Sequence, residues 1–303
     1  MFAHAYPTIA NCWATLIVEE CIRNNVTHFF IAPGSRSTAL TMAVATHPKA
    51  KSWVHVDERA LGFMALGAAK AQQSPVAIIT TSGTAVANLM PACCEAYADN
   101  IPLILLTADR APEAHQSGAN QTMSQTHFFR EVVGWDGLMP VPTTEIPADY
   151  VLSTIDHAIH QARNHWLPVH LNCQFRKPFT PVGSDQNFEG YLSTIQKWQL
   201  SQTPFTQFSH PKPLSLDSQD TATIQTLVTS SSMGVITVSG YQSQDEIEYV
   251  LQLATHLNCL VLTDATSPCQ FVSHPHIRQH IQLALTETNS TTSDEVPALD
   301  WVI

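Results

Sequence analysis

Charge is scarce in this sequence. Only 13% of its 303 residues are charged, and just 14 of them are Lys or Arg. Against 25 Asp and Glu this leaves a net charge of −11. That balance argues against non-specific nucleic-acid binding and against attraction to an anionic membrane surface. It still permits an anionic ligand, because such a site needs only a few local cations. No run of about 18 apolar residues occurs, so no membrane span is expected. The N-terminal MFAHAYPTIANCWATLIVEE lacks a basic leader and carries Glu19 and Glu20, so no signal peptide is read there. The seven cysteines are odd in number and lack CxxC spacing. Adjacent Cys93 and Cys94 fall on a predicted helix and read as buried small hydrophobes. Together these absences point to a reducing cytoplasm. There is no internal repeat and no coiled-coil pattern.

What the sequence does have is apolar surface. Hydrophobic residues make up 44%, enough for a sizeable core and too much for bulk disorder. At about 150 residues per domain the length suggests two domains. The stretch Ser52 to Tyr97 reads as strand, helix, strand, helix. Trp53 to Val56 is a short apolar run, stopped by Asp57-Glu58-Arg59. Ala60 to Gln72 is helical, Ser74-Pro75 breaks it, and Val76 to Thr81 is a β-branched run. Ser82-Gly83-Thr84 is a turn, and Ala85 opens a second apolar helix. Upstream, Ile9 to Arg23 is a predicted helix ended by Asn24-Asn25, His28 to Ala32 a strand, and Thr38 to Thr46 a short helix.

Downstream, Leu103 to Thr107 reads as a buried strand and Gln116 to Gln125 as a polar loop. Phe128 to Val133 reads as helical, Pro140 to Pro147 as an extended connector, Ala148 to Asn164 as a helix and Val169 to Cys173 as a strand. Alternating strands and helices imply an α/β fold with a doubly wound, mainly parallel sheet. Such sheets bind ligands beyond the carboxyl ends of their strands.

Residues 1–179 are therefore expected to form one domain. Residues 180–213, rich in Gln, Ser, Thr and Pro, read as a linker on which Trp198, Phe205 and Phe208 are the apolar anchors. Residues 214–303 read as a second α/β unit, with helices over 221–229 and 244–257 and strands over 234–239 and 259–263. Two strands and two helices are too few to close an independent core comfortably.

Several residues carry chemistry. Glu58 follows a strand and precedes a helix, where a carboxylate also stabilises the helix start. Arg36 and Arg110 each follow a strand, and guanidinium groups hold carboxylates bidentately. Arg110 has an ordinary alternative in pairing with Asp109 or Glu113. Asn120 and Gln121 are open to reading as loop-capping amides, and Thr84 as a helix cap. His274, His276 and His280 raise the question of a metal, since 276 and 280 would share a helix face. No Cys or carboxylate completes that set, and no metal ligand is assigned.

The segments IAPGSRST, DERALG, TSGTAVANL, LLTADRAPE and GANQ occur in order. Through them the chain resembles the pyrimidine-binding domain of thiamine-diphosphate enzymes. The resemblance is strongest to the 2-succinyl-5-enolpyruvyl-6-hydroxy-3-cyclohexene-1-carboxylate synthase family of menaquinone biosynthesis, and runs from Ile9 to about Pro178. It implies thiamine diphosphate with Mg²⁺ or Mn²⁺ as cofactors, and 2-oxoglutarate and isochorismate as substrates. It implies that Glu58 bonds the aminopyrimidine ring nitrogen and that Ser82, Gly83 and Thr84 approach the pyrimidine. It implies that Ser35, Arg36 and Arg110 bind substrate carboxylates, with Asn120 and Gln121 hydrogen-bonding substrate or intermediate.

The family continues into a domain carrying Gly-Asp-Gly, a motif absent here, where its metal ligands lie. The resemblance thus implies a chain truncated inside its central domain. It also implies a homodimer or higher oligomer with active sites between subunits. The alternatives are a thiamine-diphosphate enzyme of the acetolactate synthase type, an inert truncated product, or one subunit of a split enzyme.

Overall fold

The computed structural model describes residues 4–180, 185–209, 215–230, 234–240, 243–279 and 300–302. The chain divides into two compact units, 1–209 and 210–303.

The first unit begins with a short strand β1 (Ala5–Tyr6) and helix α1 (Ile9–Arg23). Strand β2 (His28–Ile31), helix α2 (Thr38–Thr46), strand β3 (Lys51–Val54), helix α3 (Glu58–Gln72) and strand β4 (Val76–Thr80) follow. Next come α4 (Thr84–Ala87), α5 (Met90–Ala98), β5 (Leu103–Arg110), β6 (Trp135–Met139), α6 (Ala148–His165) and β7 (Val169–Phe175). The unit ends in β8 (Gln186–Asn187), α7 (Glu189–Leu192) and α8 (Gln196–Leu200).

Six strands form one sheet in the order β3-β2-β4-β5-β7-β6, and every neighbouring pair is parallel. On one face Trp13, Leu16 and Ile17 of α1, Leu40 of α2 and Ile155 of α6 pack with Ile79, Leu106 and Leu171. On the other, Leu61 and Ala65 of α3 and Cys93 of α5 pack with Ile78, Leu105 and Phe129. With both faces covered, β4 and β7 are buried along their whole length; β4 is the near-continuous apolar run of a parallel sheet, whereas β7 alternates apolar residues with His170, Asn172 and Gln174. This is the doubly wound α/β architecture that the alternation predicts.

Local chemistry sets the boundaries. Thr8 caps α1 through the Asn11 amide, and Asn25, at φ 57, adopts the left-handed turn that ends it. Asp57 caps α3 by accepting from the Ala60 amide at 2.9 Å.

Several expectations need correction. Strand β3 spans Lys51–Val54 rather than Trp53 to Val56, because its register pairs Lys51 with His28 and Val54 with Ile31. The helix expected from Ala85 is two, α4 and α5, interrupted at Asn88–Leu89 before Pro91, which has no N–H to donate. Phe128 to Val133 is a turn with a single 3-10 segment, Arg130–Val132. His127 at φ 62 breaks its start and extended Val133 leads it into β6. Strand β6 itself was not expected, since Asp136 and Gly137 interrupt its apolar pattern. Cys93 is buried but Cys94 is exposed, as neighbours about 100° apart on a helix often are.

The linker expected over 180–213 is mostly not one. Strand β8 pairs antiparallel with β1, and Phe188, Leu192, Ile195 and Trp198 join the core beneath α1 and α6. Their anchors are too widely spaced to produce a periodic signal.

The second unit holds α9 (Ser218–Thr229), β9 (Gly234–Val238), α10 (Gln244–Leu257), β10 (Leu260–Thr263), β11 (Ile277–Arg278) and β12 (Trp301–Val302). Among its described residues four strands are parallel in the order β11-β10-β9-β12, two more than expected. Ile236, Val238, Ile247, Ala254 and Val261 form its core. A capping box between Ser243 and Glu246 starts α10, and Asn258 in the left-handed region ends it. His276 precedes β11 and its Nδ1 donates to the Cys259 carbonyl, so no helix runs through it; His280 lies outside the described residues. Among the described residues no group of three His, Cys, Asp or Glu could hold a metal, and no helix is long and apolar enough to cross a membrane.

One buried feature makes the first unit sensitive to pH. Glu20 and Asp156 are 0% and 1% exposed. Glu20 accepts hydrogen bonds from the Trp198 indole and the Phe205 amide, and Asp156 accepts from the Asn24 side chain and the Thr206 amide. Burial first, and the Asp156 carboxyl second, push the Glu20 carboxyl up to about 9. A carboxyl raised in the folded state contributes stability fully below its ordinary pKa and loses it as pH climbs through the raised value. Stability should therefore decline between about pH 4.5 and 9, at up to about 1.4 kcal/mol per pH unit for one proton. Urea denaturation at pH 5, 7 and 9 should show this decline in the unaltered chain and a flatter profile in Glu20→Gln. Equal slopes in the two would refute the assignment.

Candidate active site

The strand order reverses between β2 and β4: β2 leads outward to β3, whereas β4 leads the other way to β5. Crevices form at such points beyond the carboxyl ends of the strands. The loops after β2 and β4 meet there closely. A Cβ on Gly34 would lie 2.4 Å from the Thr81 Cβ, so only glycine permits the approach.

Arg36 lies in the 3-10 turn Ser35–Ser37 after β2 and is buried, while Ser35 beside it is exposed. Its Nη1 donates to the Phe175 carbonyl at 2.6 Å, and its guanidinium carbon lies 4.3 Å from the Phe179 ring centre. Burial first, and then the charge of Arg110, push it down to about 10, against the opposing pull of Asp109 and Glu113. It remains a cation at neutral pH.

Arg110 ends β5, and its Nη2 donates to the Asn120 carbonyl at 2.6 Å. It pairs with neither acid offered by the sequence. Glu113 is taken by Arg176, and Asp109, fully buried, accepts from the Arg110 backbone amide. The Nε atoms of Arg36 and Arg110 are both buried without a hydrogen-bond partner. Two mutually repelling guanidiniums with donors left over suit a ligand bearing carboxylates.

The turn after β4 is bound to the loop after β5. The Ser82 hydroxyl donates to the Gln121 carbonyl at 3.1 Å, and the Gln121 side chain donates to the Ser82 carbonyl at 2.9 Å. Gly83 has φ 82, and a Cβ there would meet the Gln121 side chain at 2.8 Å. Gly83 occupies the cap position of α4, so Thr84 is the first helical residue and not the cap. Ser82, Gly83, Arg110, Asn120 and Gln121 thus form one connected group. Asn120 takes part through its backbone carbonyl.

Glu58 stands apart from that group, at the start of α3 beyond β3. It is half-buried, and its carboxylate has no hydrogen bond or ion pair among the described residues. Capping falls to Asp57, so the helix start does not occupy the Glu58 side chain.

Beneath the site runs a buried polar chain that the motifs do not announce. Asn172 donates to Asp109 at 2.8 Å, and its carbonyl oxygen accepts from Gln125 at 2.9 Å. The Thr107 hydroxyl lies 3.2 Å from that oxygen and 2.7 Å from His170 Nε2. His170 Nδ1 meets Asp136 at 2.8 Å, and Asp136 also bonds His127. Burial alone would raise the Asp136 carboxyl, but the hydrogen bonds from His170 and then His127 outweigh it and hold it low. The available signal was a polar residue at every second position of two buried strands: Thr107 and Asp109, His170 and Asn172.

These features fit one end of an aromatic, nitrogen-bearing cofactor and an anionic substrate. Glu58 offers a free carboxylate, and the arginines offer unpaired donors. They do not include ligands for a metal.

The family model "Thiamine pyrophosphate enzyme, N-terminal TPP binding domain" matches residues 13–128. The chain is 42% identical over 262 residues to a 2-succinyl-5-enolpyruvyl-6-hydroxy-3-cyclohexene-1-carboxylate synthase of Salinibacter ruber, covering 86% of this chain and 44% of that protein. It is 39% identical over 285 residues to the synthase of the same name from Aeromonas salmonicida, covering 94% and 49%. With that of Shewanella baltica it shares 40% over 292 residues, covering 91% and 50%. The chain therefore spans about half the length of the curated relatives it matches. Over that half it is a relative of the 2-succinyl-5-enolpyruvyl-6-hydroxy-3-cyclohexene-1-carboxylate synthases, and it carries the N-terminal thiamine-pyrophosphate-binding domain of the thiamine-diphosphate enzymes.

Proposed function

We propose that this chain supplies the pyrimidine-binding half of a thiamine-diphosphate-dependent synthase that decarboxylates 2-oxoglutarate and joins the remaining four-carbon unit to isochorismate. The observation that carries the proposal is the free, half-buried carboxylate of Glu58 at the carboxyl edge of a parallel sheet, with Asp57 doing the capping beside it. The names of the relatives support the choice of reaction over the acetolactate synthase type.

When bound, thiamine diphosphate supplies a carbon nucleophile at its thiazolium ring. In this proposal Glu58 shares a proton with the pyrimidine ring nitrogen and so makes the neighbouring exocyclic nitrogen a base. Ser82, Gly83 and Thr84 approach the pyrimidine. Ser35, Arg36 and Arg110 hold substrate carboxylates, and Asn120 and Gln121 orient the reacting groups. The diphosphate and its Mg²⁺ or Mn²⁺ would be held by protein outside these 303 residues, on a partner copy or a continuation of the polypeptide. Exposed apolar side chains near Glu58, among them Val54, Val56, Phe63 and Met64, support a second copy as the wall of the site in a homodimer. A cytoplasmic location accords with such a biosynthetic role.

The half-length match favours a second statement about the chain by itself. As one piece of the enzyme, it should not turn over 2-oxoglutarate and isochorismate at a useful rate. Robust product formation by the purified 303-residue chain would contradict this.

In an active enzyme containing these residues, Glu58→Gln should slow hydrogen–deuterium exchange at the thiazolium carbon by about 10²–10⁴-fold, or about 3–5 kcal/mol of barrier. Arg110→Ala should leave that exchange near normal and weaken 2-oxoglutarate or isochorismate by about 10–100-fold, the loss of a charged hydrogen bond. Normal exchange in Glu58→Gln would remove it from the mechanism.

A further inference from the structure

We propose that Gln125 is a positioning residue that acts, through Gly83 and Asn172, on both halves of the candidate site. Its functional meaning rests on the reading of the Ser82-Gly83-Thr84 turn and Arg110 given above.

Gln125 lies just beyond the GANQ segment and is fully buried. Its Oε1 accepts from the Gly83 amide at 2.8 Å. Its Nε2 donates to the Ala108 carbonyl at 3.2 Å and to Asn172 Oδ1 at 2.9 Å. One amide thus uses its acceptor on the pyrimidine-side turn and both donors on the substrate-side strands. The line continues in one direction. Asn172 donates to Asp109 Oδ2, and Asp109 Oδ1 accepts from the Arg110 amide at 2.7 Å. Gln125 cannot be reversed, because its NH₂ would then face the Gly83 N–H and its oxygen would face two acceptor oxygens.

Gly83 is where orientation matters most. At φ 82 its backbone is of the kind glycine tolerates, and its amide direction is set by Gln125. The Arg110 amide is set four hydrogen bonds further along. A buried network with every member satisfied holds a single arrangement. Losing the central amide should therefore release the turn and the strand end together, while the strands between keep their ladders.

The test uses the whole 303-residue chain with amide hydrogen exchange. Selective labelling is practical because there are eleven glycines. Gln125→Leu should speed exchange at both Gly83 and Arg110 by about tenfold or more, with Ile78 and Leu105 unchanged. Gln125→Glu should behave differently with pH. Its neutral acid can accept from Gly83 and donate its one proton to Asn172, whereas its carboxylate cannot donate. The carboxylate still accepts from Gly83, so protection at Arg110 should be near normal at pH 5 and lost by pH 8 while Gly83 stays protected, although position 125 does not titrate in the unaltered chain.

In Gln125→Leu, release of one site without the other would overturn the proposal, as would uniform loosening of the sheet. Gln125→Glu keeps the test alive if the leucine variant does not fold, since pH-independent protection of Arg110 there would also overturn it. A second readout is the KM for 2-oxoglutarate of an active enzyme carrying Gln125→Glu, which should rise several-fold between pH 5 and 8 relative to its parent. A flat KM beside coupled exchange would uphold Gln125 as the tie and tell against the substrate reading of the edge.

Discussion

Strands β4 and β7 meet water on neither face, and much of the first unit follows from that constraint. Helices must cover both sides of the sheet, so α1, α2 and α6 pack on one face and α3 and α5 on the other. Backbone groups in these strands are satisfied only by the parallel ladder. Polar chemistry is then pushed to the strand ends, where Arg36, the Ser82 turn and Arg110 lie. The few polar side chains inside the sheet must find each other. Thr107, Asp109, His170 and Asn172 do so across β5 and β7.

The same constraint shapes the charge of the edge. A buried guanidinium is costly unless its donors are used. Arg36 is partly supported by the Phe175 carbonyl and the Phe179 ring, and Arg110 by the Asn120 carbonyl. Asp109 opposes the lowering at Arg36, but its own oxygens are engaged by Asn172 and the Arg110 amide. The edge is left with two cations and unused Nε donors in a protein whose net charge is −11.

The segment before the second unit belongs to this architecture more than its composition suggests. Trp198 is buried against α1, stacked under the Arg23 guanidinium at 3.8 Å and bonded to Glu20. Phe205 and Thr206 are held by their backbone amides on Glu20 and Asp156. Two carboxyls in one dry site oppose each other, so the attachment relies on Glu20 keeping its proton. The chain thus leaves the first unit from a fixed point on α1 and α6.

The order of strands and helices, the parallel sheet and the edge at which Arg36, Glu58, Ser82 and Arg110 emerge were readable from residue patterns alone. Periodicity, caps and breakers act within a few residues, and a parallel sheet with its right-handed crossovers follows from their order. Motif resemblance added roles for those residues. The pattern failed at β6, where Asp136 and Gly137 sit in an edge strand, and at 128–133, where a left-handed His127 overrides an apolar run. It also could not separate Glu58 from Asp57 as the helix cap. Only the tertiary structure decided that, and only it joined Gln125 to Gly83, 42 residues away, and Glu20 to Phe205, 185 residues away. Sequence spacing governs contacts along one element, but the hydrogen bonds that aim these groups run between elements. Their partners are chosen by strand register and by the need to satisfy every polar atom that burial takes from water.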